Sequence, residues 1–204
     1  MNQIQGYVES KLVSFLMNLH ITPRSIYLVR HGESLNNAER KLGGDPELSE
    51  RGKRYLPKLK KFFDDEKEAG FVDEKAKLFT STLKRSIETA KVIDIGAKPA
   101  SFKILDELDA GVCDNMTMEE VEKKYPSEWK ARITDKLKYR FPMGESYIDL
   151  VHRIEPIIFA IERCKEPVIV VKSLILLTPL RISLGESYSG SEMYLWLLDE
   201  ETIA

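Results

Sequence analysis

Hydrophobic residues in this chain form two kinds of pattern, short continuous runs and longer stretches in which they recur at helical spacing. The short runs are rich in β-branched and aromatic residues and predict strands at residues 25–29, 77–81, 102–105 and 167–171. Runs that are apolar on both faces are typical of parallel strands covered by helices on either side. The pattern therefore predicts a buried, mostly parallel sheet.

Helical spacing separates these runs and predicts helices at residues 2–19, 83–93, 119–124, 128–136 and 145–164. Ser49 is a suitable N-cap for another helix, highly charged, that extends towards Glu68. Within residues 83–93 the apolar side chains are expected to face inward, namely Leu83, Ile87, Ala90 and Val92. Pro156 should kink or interrupt the last helix, because proline lacks an N–H and crowds the preceding turn.

Strands that alternate with helices predict an α/β protein, with three α/β/α layers around a mostly parallel central sheet. We expect one domain over residues 24–204, preceded by an N-terminal helix and linker segment at residues 1–23. Beyond Thr178 two interpretations stay open. Residues 193–198 either form a final strand or belong to a degenerate tail.

The net charge, the lengths of the apolar runs and the spacing of histidine and cysteine make several classes of function unexpected. A net charge of −2 over 204 residues creates no overall field for nucleic acid or anionic membranes, so neither is expected as a partner. The N-terminus carries no signal pattern and no run reaches the roughly 18 apolar residues of a membrane span, so a cytoplasmic location is expected. The three histidines and the two cysteines, Cys113 and Cys164, lack metal-ligand spacing, so no metal site is predicted.

A cation, an imidazole and a glycine follow the first predicted strand: Arg30, His31 and Gly32. Ligands bind at the carboxyl ends of strands in open α/β sheets, and neutral imidazole is a good nucleophile near pH 7. The arginine fork pairs with phosphate oxygens, and glycine lets the backbone approach them closely. A lone histidine at the end of a strand more often has a structural role, in which its ring only makes hydrogen bonds. The whole string at residues 28–34, Leu-Val-Arg-His-Gly-Glu-Ser, resembles the signature of the histidine phosphatase superfamily and favours catalysis.

A phosphohistidine mechanism also needs further cations around the phosphoryl group and an acid for the leaving oxygen. Arg85 is the candidate cation, because it follows a predicted strand in the first turns of a helix. Glu107 is the candidate acid and follows the strand predicted at 102–105. Considered alone, each residue also has a non-catalytic interpretation. Arg85 could be a solvated arginine on a helix, and Glu107 could be an exposed carboxylate in a loop.

A closer resemblance is carried by residues 108–114, 116–117, 125–126 and 144–147. They are similar to the bisphosphatase half of the 6-phosphofructo-2-kinase/fructose-2,6-bisphosphatase family, and the similarity runs almost without gaps from about residue 2 to residue 171. It implies a phosphoglycerate mutase-like fold, fructose 2,6-bisphosphate as substrate, and fructose 6-phosphate and phosphate as products. It implies no metal or cofactor, since arginines supply the charge. A kinase domain is possible on the N-terminal side, although this chain contains no kinase phosphate loop.

The resemblance also assigns roles by position. His31 would take the 2-phosphoryl group, and Glu107 would protonate the departing sugar oxygen and then assist the attacking water. The phosphoryl oxygens would be held by Arg30, Asn37 and Arg85. The sugar and its 6-phosphate would be contacted by Leu42, Gly43, Tyr147, Arg132 and Lys136.

The chain departs from the family pattern at the end of the strand predicted at 167–171. Lys172 replaces the family's second catalytic histidine, Ser173 its glutamine, and Met118 replaces a tyrosine of the 6-phosphate pocket. Lys172 could still present charge to the phosphoryl group, but the loss of one positioned donor typically costs on the order of 10²–10³ in rate. We therefore expect an impaired phosphatase. The alternatives are an inactive sugar-phosphate-binding or regulatory domain, and a phosphomonoesterase of broader specificity.

Overall fold

A computed structural model describes residues 12, 13, 16, 24–96, 98–173 and 193–198. Its five strands are β1 (Arg24–Arg30), β2 (Lys77–Thr80), β3 (Ala100–Ser101), β4 (Val168–Lys172) and β5 (Met193–Leu198). They form one sheet in the order β3-β2-β4-β1-β5, and each neighbouring pair is parallel. The described helices are α1 (Leu35–Ala38), α2 (Glu50–Glu68), α3 (Lys84–Ala90), α4 (Met118–Lys124), α5 (Pro126–Thr134) and α6 (Tyr147–Arg163).

Side chains of alternate strand residues form two separate cores, one on each face of the sheet. Ile26, Leu28, Val168 and Val170 pack with Leu150 and other apolar residues of α6. On the opposite face, the residues between them pack against α2, and this core includes Tyr27, Val29, Ile169, Val171, Tyr55, Leu59 and Phe63. Because successive strand residues point to opposite faces, one apolar run serves both cores. The three-layer α/β/α architecture is confirmed.

The predicted N-cap of α2 is also confirmed. Ser49 Oγ accepts a hydrogen bond from the backbone N–H of Gly52 at 3.1 Å, and the helix extends to Glu68 as expected. The short helices α4 and α5 lie within about two residues of their predicted bounds. None of the helices in the described part of the chain is long and apolar enough to cross a bilayer.

The strand predicted at residues 102–105 is wrong. The strand is instead Ala100–Ser101, and Lys103–Leu105 forms a 3₁₀ turn. The carbonyls of Lys103 and Ile104 accept hydrogen bonds from the Arg153 guanidinium at 3.3 and 2.9 Å, rather than from a neighbouring strand. The chain leaves the sheet here because a side chain of α6 binds these carbonyls.

The predicted interruption of the last helix at Pro156 is also wrong, since α6 continues through this residue to Arg163. Proline removes only the hydrogen bond to the carbonyl four residues earlier, that of His152. Both Pro156 and His152 are exposed, so water can satisfy that carbonyl.

Of the two interpretations of residues 193–198, the final strand is confirmed, because β5 pairs in parallel with β1 from Arg24 to Val29. The helix predicted at 2–19 lies largely outside the described residues, of which 12, 13 and 16 are helical. The domain bounds at 1–23 and 24–204 stay predictions.

Candidate active site

The candidate catalytic side chains meet at the edge of the sheet where β1, β2 and β4 end. His31 directly follows β1, Arg85 lies in the first turn of α3 after β2, and Lys172 is the last residue of β4. The backbone N–H of His31 donates to the carbonyl of Lys172 at 3.0 Å. Parallel strands place their carboxyl ends at one edge, so three distant parts of the chain converge here.

The His31 ring is buried, with 3% of its surface exposed, and both its nitrogens have partners. Arg85 Nε donates to Nε2 at 3.1 Å, and Nδ1 lies 2.7 Å from the carbonyl oxygen of Gly32. Because a guanidinium is only a donor, Nε2 must carry the lone pair and Nδ1 the proton. Burial, with the positive charges of Arg85 and Arg30 nearby, lowers the pKa of His31 to about 3. The imidazole is therefore neutral, with Nε2 as its nucleophilic atom.

The backbone after His31 is held by the first turn of α2 and by α3. The N–H of Gly32 donates to Thr89 Oγ1 at 3.1 Å, and Ser49 Oγ donates to Glu33 Oε2 at 2.6 Å. A Cβ on Gly32 would lie 2.9 Å from the carbonyl oxygen of Gly52, and a Cβ on Gly52 would lie 2.2 Å from the carbonyl oxygen of Glu33. The two segments pack so closely that only glycines fit between them.

Arg85 is 2% exposed and connects three parts of the site. Besides the bond to His31, its Nη1 donates to the carbonyl of Gly44 at 2.8 Å, and Nη2 lies 3.7 Å from Glu107 Oε2. A planar guanidinium fixed in this way can present its fork to a phosphoryl group bound at Nε2 of His31. The arrangement brings together the predicted nucleophile, cation and acid.

The inward face of α3 differs from the expected one. The buried residues are Arg85, Ser86, Thr89 and Ala90, whereas Leu83, Ile87 and Val92 are half-buried. Of the four side chains predicted to face inward, only Ala90 is fully buried. The polar side chains are buried because Arg85 and Thr89 bond to the segment that carries His31.

Lys172 is 0% exposed, and its Nζ has no hydrogen-bond partner among the residues that the structure describes. Burial and the positive charge of Arg153 lower the pKa of this amine well below its usual value, against an opposing contribution from nearby carboxylates. The largest of those contributions comes from Glu107. The residue that replaces the expected second histidine is thus a buried amine on the Glu107 side of the site.

A cavity of about 480 Å³ opens beside Glu107, whose side chain is 16% exposed. Gly43, Gly44 and Arg153 also line it. Its remaining charged lining residues are Asp45, Lys103, Asp106, Asp109, Asp114 and Glu145. Gly43 and Gly44 have φ angles of +55° and +69°, and a Cβ on Gly43 would lie 1.7 Å from Asp114 Oδ1. The glycines therefore allow the loop to form this wall.

Two of the other predicted contacts, Asn37 and Leu42, have structural partners of their own. Asn37 is exposed, and its Oδ1 accepts from the backbone N–H and the hydroxyl of Ser34 at 3.2 and 3.0 Å, which caps α1. Leu42 packs against the core on the α6 face of the sheet. Arg30 is half-buried at the end of β1. Their roles as phosphate or sugar contacts stay predictions.

Two of the remaining predicted contacts, Arg132 and Lys136, each place a cation near an aromatic ring. The guanidinium carbon of Arg132 lies 5.4 Å from the Phe141 ring centre, and Lys136 Nζ lies 5.8 Å from the Tyr147 ring centre. Arg132, Lys136 and Tyr147 do not line the cavity beside Glu107. His31 and Arg85 do not line this cavity either. The predicted contacts of Tyr147 with the sugar and of Arg132 and Lys136 with a 6-phosphate stay predictions.

Sequence reasoning did not identify Arg153, Thr89 or Gly44, although each bonds to a segment that carries a candidate residue. Thr89 and Arg153 lie in amphipathic stretches, where a polar residue normally indicates only a solvent-facing position. Within the described ranges, no group of three or more histidine, cysteine, aspartate or glutamate side chains could hold a metal ion.

Comparison with known proteins identifies the family of this chain. The family model described as histidine phosphatase superfamily (branch 1) matches residues 26–181. The chain is 45% identical over 170 residues to the Arabidopsis thaliana 6-phosphofructo-2-kinase/fructose-2,6-bisphosphatase, covering 83% of this chain and 22% of the relative. It is 46% identical over 175 residues to the Saccharomyces cerevisiae fructose-2,6-bisphosphatase, covering 86% of this chain and 37% of the relative. The chain thus spans only a minor part of each relative's length.

Among solved structures, Bacillus stearothermophilus YhfR superposes with a TM-score of 0.66 at 27% identity. The match covers 83% of this chain and 87% of that one. The family model covers most of the sheet and the residues around His31, and the structural match covers a similar share. The chain belongs to branch 1 of the histidine phosphatase superfamily.

Proposed function

We propose that this chain hydrolyses fructose 2,6-bisphosphate to fructose 6-phosphate and phosphate through a phosphohistidine on His31. The observation that carries the proposal is the arrangement of His31, Arg85 and Glu107. Arg85 Nε lies 3.1 Å from the lone pair of His31 Nε2, and Arg85 Nη2 lies 3.7 Å from Glu107 Oε2. Nucleophile, charge stabiliser and acid are therefore adjacent. The substrate is inferred from the names of the two relatives, each at least 45% identical to this chain.

In the first step, Nε2 of His31 attacks the phosphorus of the 2-phosphoryl group, and the bond from phosphorus to the sugar oxygen breaks. Glu107 gives its proton to that oxygen. The N–H of Arg85 that now bonds to Nε2 turns to a phosphoryl oxygen. In the second step, the Glu107 carboxylate takes a proton from a water molecule as the water oxygen attacks the phosphorus. The bond between phosphorus and Nε2 of His31 breaks. Phosphate leaves, and neutral His31 is restored.

We expect the rate to be reduced, because Lys172 stands where the resembling family has its second histidine. An imidazole presents a positioned donor to the phosphoryl group, whereas the buried Lys172 amine favours its uncharged form. Removal of one such donor typically lowers kcat by about 10²–10³. The substitution Lys172→His should recover much of that factor.

Two alternatives have an observation in their favour. Burial of the Lys172 amine lowers its pKa and so reduces the positive charge of the site, which favours an inactive sugar-phosphate-binding or regulatory domain. The replacement of a 6-phosphate tyrosine of the resembling family by Met118 favours a phosphomonoesterase of broader specificity, because one contact to the second phosphate is then lost. A kinase domain on the N-terminal side belongs to the same proposal, by analogy with the Arabidopsis relative. The cytoplasmic location stays a prediction from composition.

A single-turnover incubation with 2-³²P-labelled fructose 2,6-bisphosphate, quenched in alkali, tests the proposal. Label that is stable in alkali should appear on the wild-type protein and be absent from His31→Ala, and Lys172→His should release it faster. Phosphate release from several other sugar phosphates at similar rates would favour the broader phosphomonoesterase. A folded wild-type protein with neither label nor phosphate release would refute the enzyme and favour the binding domain.

A further inference from the structure

We propose that Arg153 is a positioning residue for Glu107, which holds the backbone of this candidate acid in place without contacting the substrate. The inference rests on the proposed function, because the role of Glu107 belongs to it. Arg153 lies in the second turn of α6, and Glu107 lies in the loop that leaves the sheet after β3. The two residues are 46 positions apart, and the guanidinium bonds to the main chain of that loop.

The guanidinium of Arg153 binds four carbonyls of the segment that ends at Glu107. Nη1 donates to Lys103 O at 3.3 Å and to Ile104 O at 2.9 Å. Nη2 donates to Asp106 O at 3.0 Å and to Glu107 O at 3.2 Å. Four backbone acceptors within five residues are thus fixed by one rigid, planar group.

The remaining donors of Arg153 are also occupied. Nε and Nη2 bond to the two carboxylate oxygens of Glu145 at 2.8 and 2.9 Å. An arginine has five N–H donors, and these six contacts leave none for a ligand. Arg153 lines the cavity, but a phosphate there could bind it only by displacing a carbonyl or Glu145. Its geometry suits support of the loop rather than substrate binding.

The supported loop is also tied to the segment that carries Arg85. The Asp106 carboxylate accepts from the backbone N–H and the hydroxyl of Thr82, each at about 2.7–2.8 Å. Glu145 Oε2 accepts from the backbone N–H of Asp109 at 3.2 Å. The backbone is therefore held on both sides of Glu107, which fixes the distance of its carboxylate from Arg85. A misplacement of about 1 Å in such a group can cost 10²-fold in rate.

The dependence of the rate on the leaving group distinguishes a positioning role of Arg153 from a loss of overall structure. A sugar alkoxide needs a proton as it leaves, whereas 2,4-dinitrophenolate leaves without one. If Arg153 acts through Glu107, Arg153→Met should lower the single-turnover rate of phosphohistidine formation from fructose 2,6-bisphosphate at least 10-fold, with a smaller change in KM. The pre-steady-state burst of 2,4-dinitrophenolate from 2,4-dinitrophenyl phosphate reports formation of the phosphohistidine alone, before Glu107 assists water. Its rate should stay within about 3-fold, because His31 and Arg85 remain in place.

The test compares Arg153→Met, Arg153→Lys and Glu107→Gln on both substrates, with the exposed Arg163→Met of the same helix as control. Arg153→Lys keeps the charge but cannot bond to four carbonyls, so it should show the same selective loss. Adding Glu107→Gln to either Arg153 variant should cost little more, because the two residues act as a unit. Equal losses on both substrates, or fully additive losses, would overturn the inference.

Amide hydrogen exchange provides a readout that does not depend on activity. Exchange at residues 103–108 should accelerate in Arg153→Lys and stay at the wild-type rate in Arg163→Met. Unchanged exchange in that segment overturns the positioning role, whether or not the protein is active. A wild-type protein that hydrolyses neither substrate contradicts the proposed function instead, and the exchange result still decides the role of Arg153.

Discussion

The buried amine of Lys172 leads to a prediction about stability, because it lies in the central strand with no partner among the described residues. Its side chain is 0% exposed, and β4 is buried along its whole length. A buried polar group without a hydrogen bond costs about 1–3 kcal/mol. Methionine has a similar length and no such group. Lys172→Met should therefore raise the free energy of unfolding by about 1–3 kcal/mol from the missing hydrogen bond alone, and by more at pH 7, where the folded wild type must also give up the Lys172 proton.

In a domain of this size, each 1 kcal/mol shifts the melting temperature by roughly 2–4 °C, so the missing hydrogen bond alone predicts a rise of roughly 2–12 °C. Urea denaturation followed by circular dichroism gives the free energy directly, provided that the slope with urea is the same in both proteins. Lys130→Met is the matched control, because Lys130 is exposed on α5. It should change the free energy by less than about 0.5 kcal/mol.

The pH dependence sharpens this prediction. In the unfolded chain Lys172 titrates near its usual pKa of 10.5, whereas burial lowers the pKa in the folded protein. Between the two values the unfolded state binds the extra proton, so wild-type stability rises with pH. The methionine variant lacks this contribution, and its advantage should shrink as the pH approaches 10.5. A variant that is less stable at pH 7, or an advantage that does not change with pH, would refute a neutral, unpartnered amine.

Three further changes test the His31 segment. Between pH 6.5 and 3, wild type should lose up to roughly 5 kcal/mol more of its free energy of unfolding than His31→Gln. The reason is that His31 binds a proton in the unfolded chain but not in the folded protein, where its pKa is lowered to about 3. Urea titrations at acid pH measure the difference. Arg85→Lys should lower kcat by about 10²–10³ with an unchanged circular dichroism spectrum, because an ammonium cannot replace the fork, and near-wild-type kcat would contradict this. Gly52→Ala should cost about 1–3 kcal/mol in thermal unfolding, since its Cβ would lie 2.2 Å from Glu33 O; an unchanged melting temperature would show that the segments can separate.

Local patterns predicted those parts of the fold that local chemistry determines. The strands around His31 and Lys172 are continuous β-branched runs, and both were predicted to within about two residues. The start of α2 depends on one hydroxyl and one N–H three residues apart, so Ser49 was recognisable as a cap. The candidate nucleophile His31 follows a strand, the cation Arg85 lies at the start of a helix, and the acid Glu107 follows a turn. The topology brings all three to one edge of the sheet.

Long-range bonds explain what the sequence could not reveal. Residues 102–105 have the composition of a strand, but Arg153 binds their carbonyls from a helix about 50 positions later. The polar residues of α3 face inward because Thr89 and Arg85 bond to the His31 segment, which no periodicity indicates. The replacement at Lys172 was visible, but the uncharged state that burial favours depends on packing from both faces of the sheet.

The position of β4 in the sheet has consequences during synthesis of the chain. It is made long after β1 and β2, yet it becomes the central strand and separates the two. Until residue 172 has left the ribosome, β1 and β2 cannot take their final places, and each keeps an unpaired edge that can pair with other chains. Such long-range parallel pairing is slow. A nascent chain that stops before β4 therefore contains His31, Arg85 and Glu107 but holds them in no common site, and it exposes two apolar strands to aggregation.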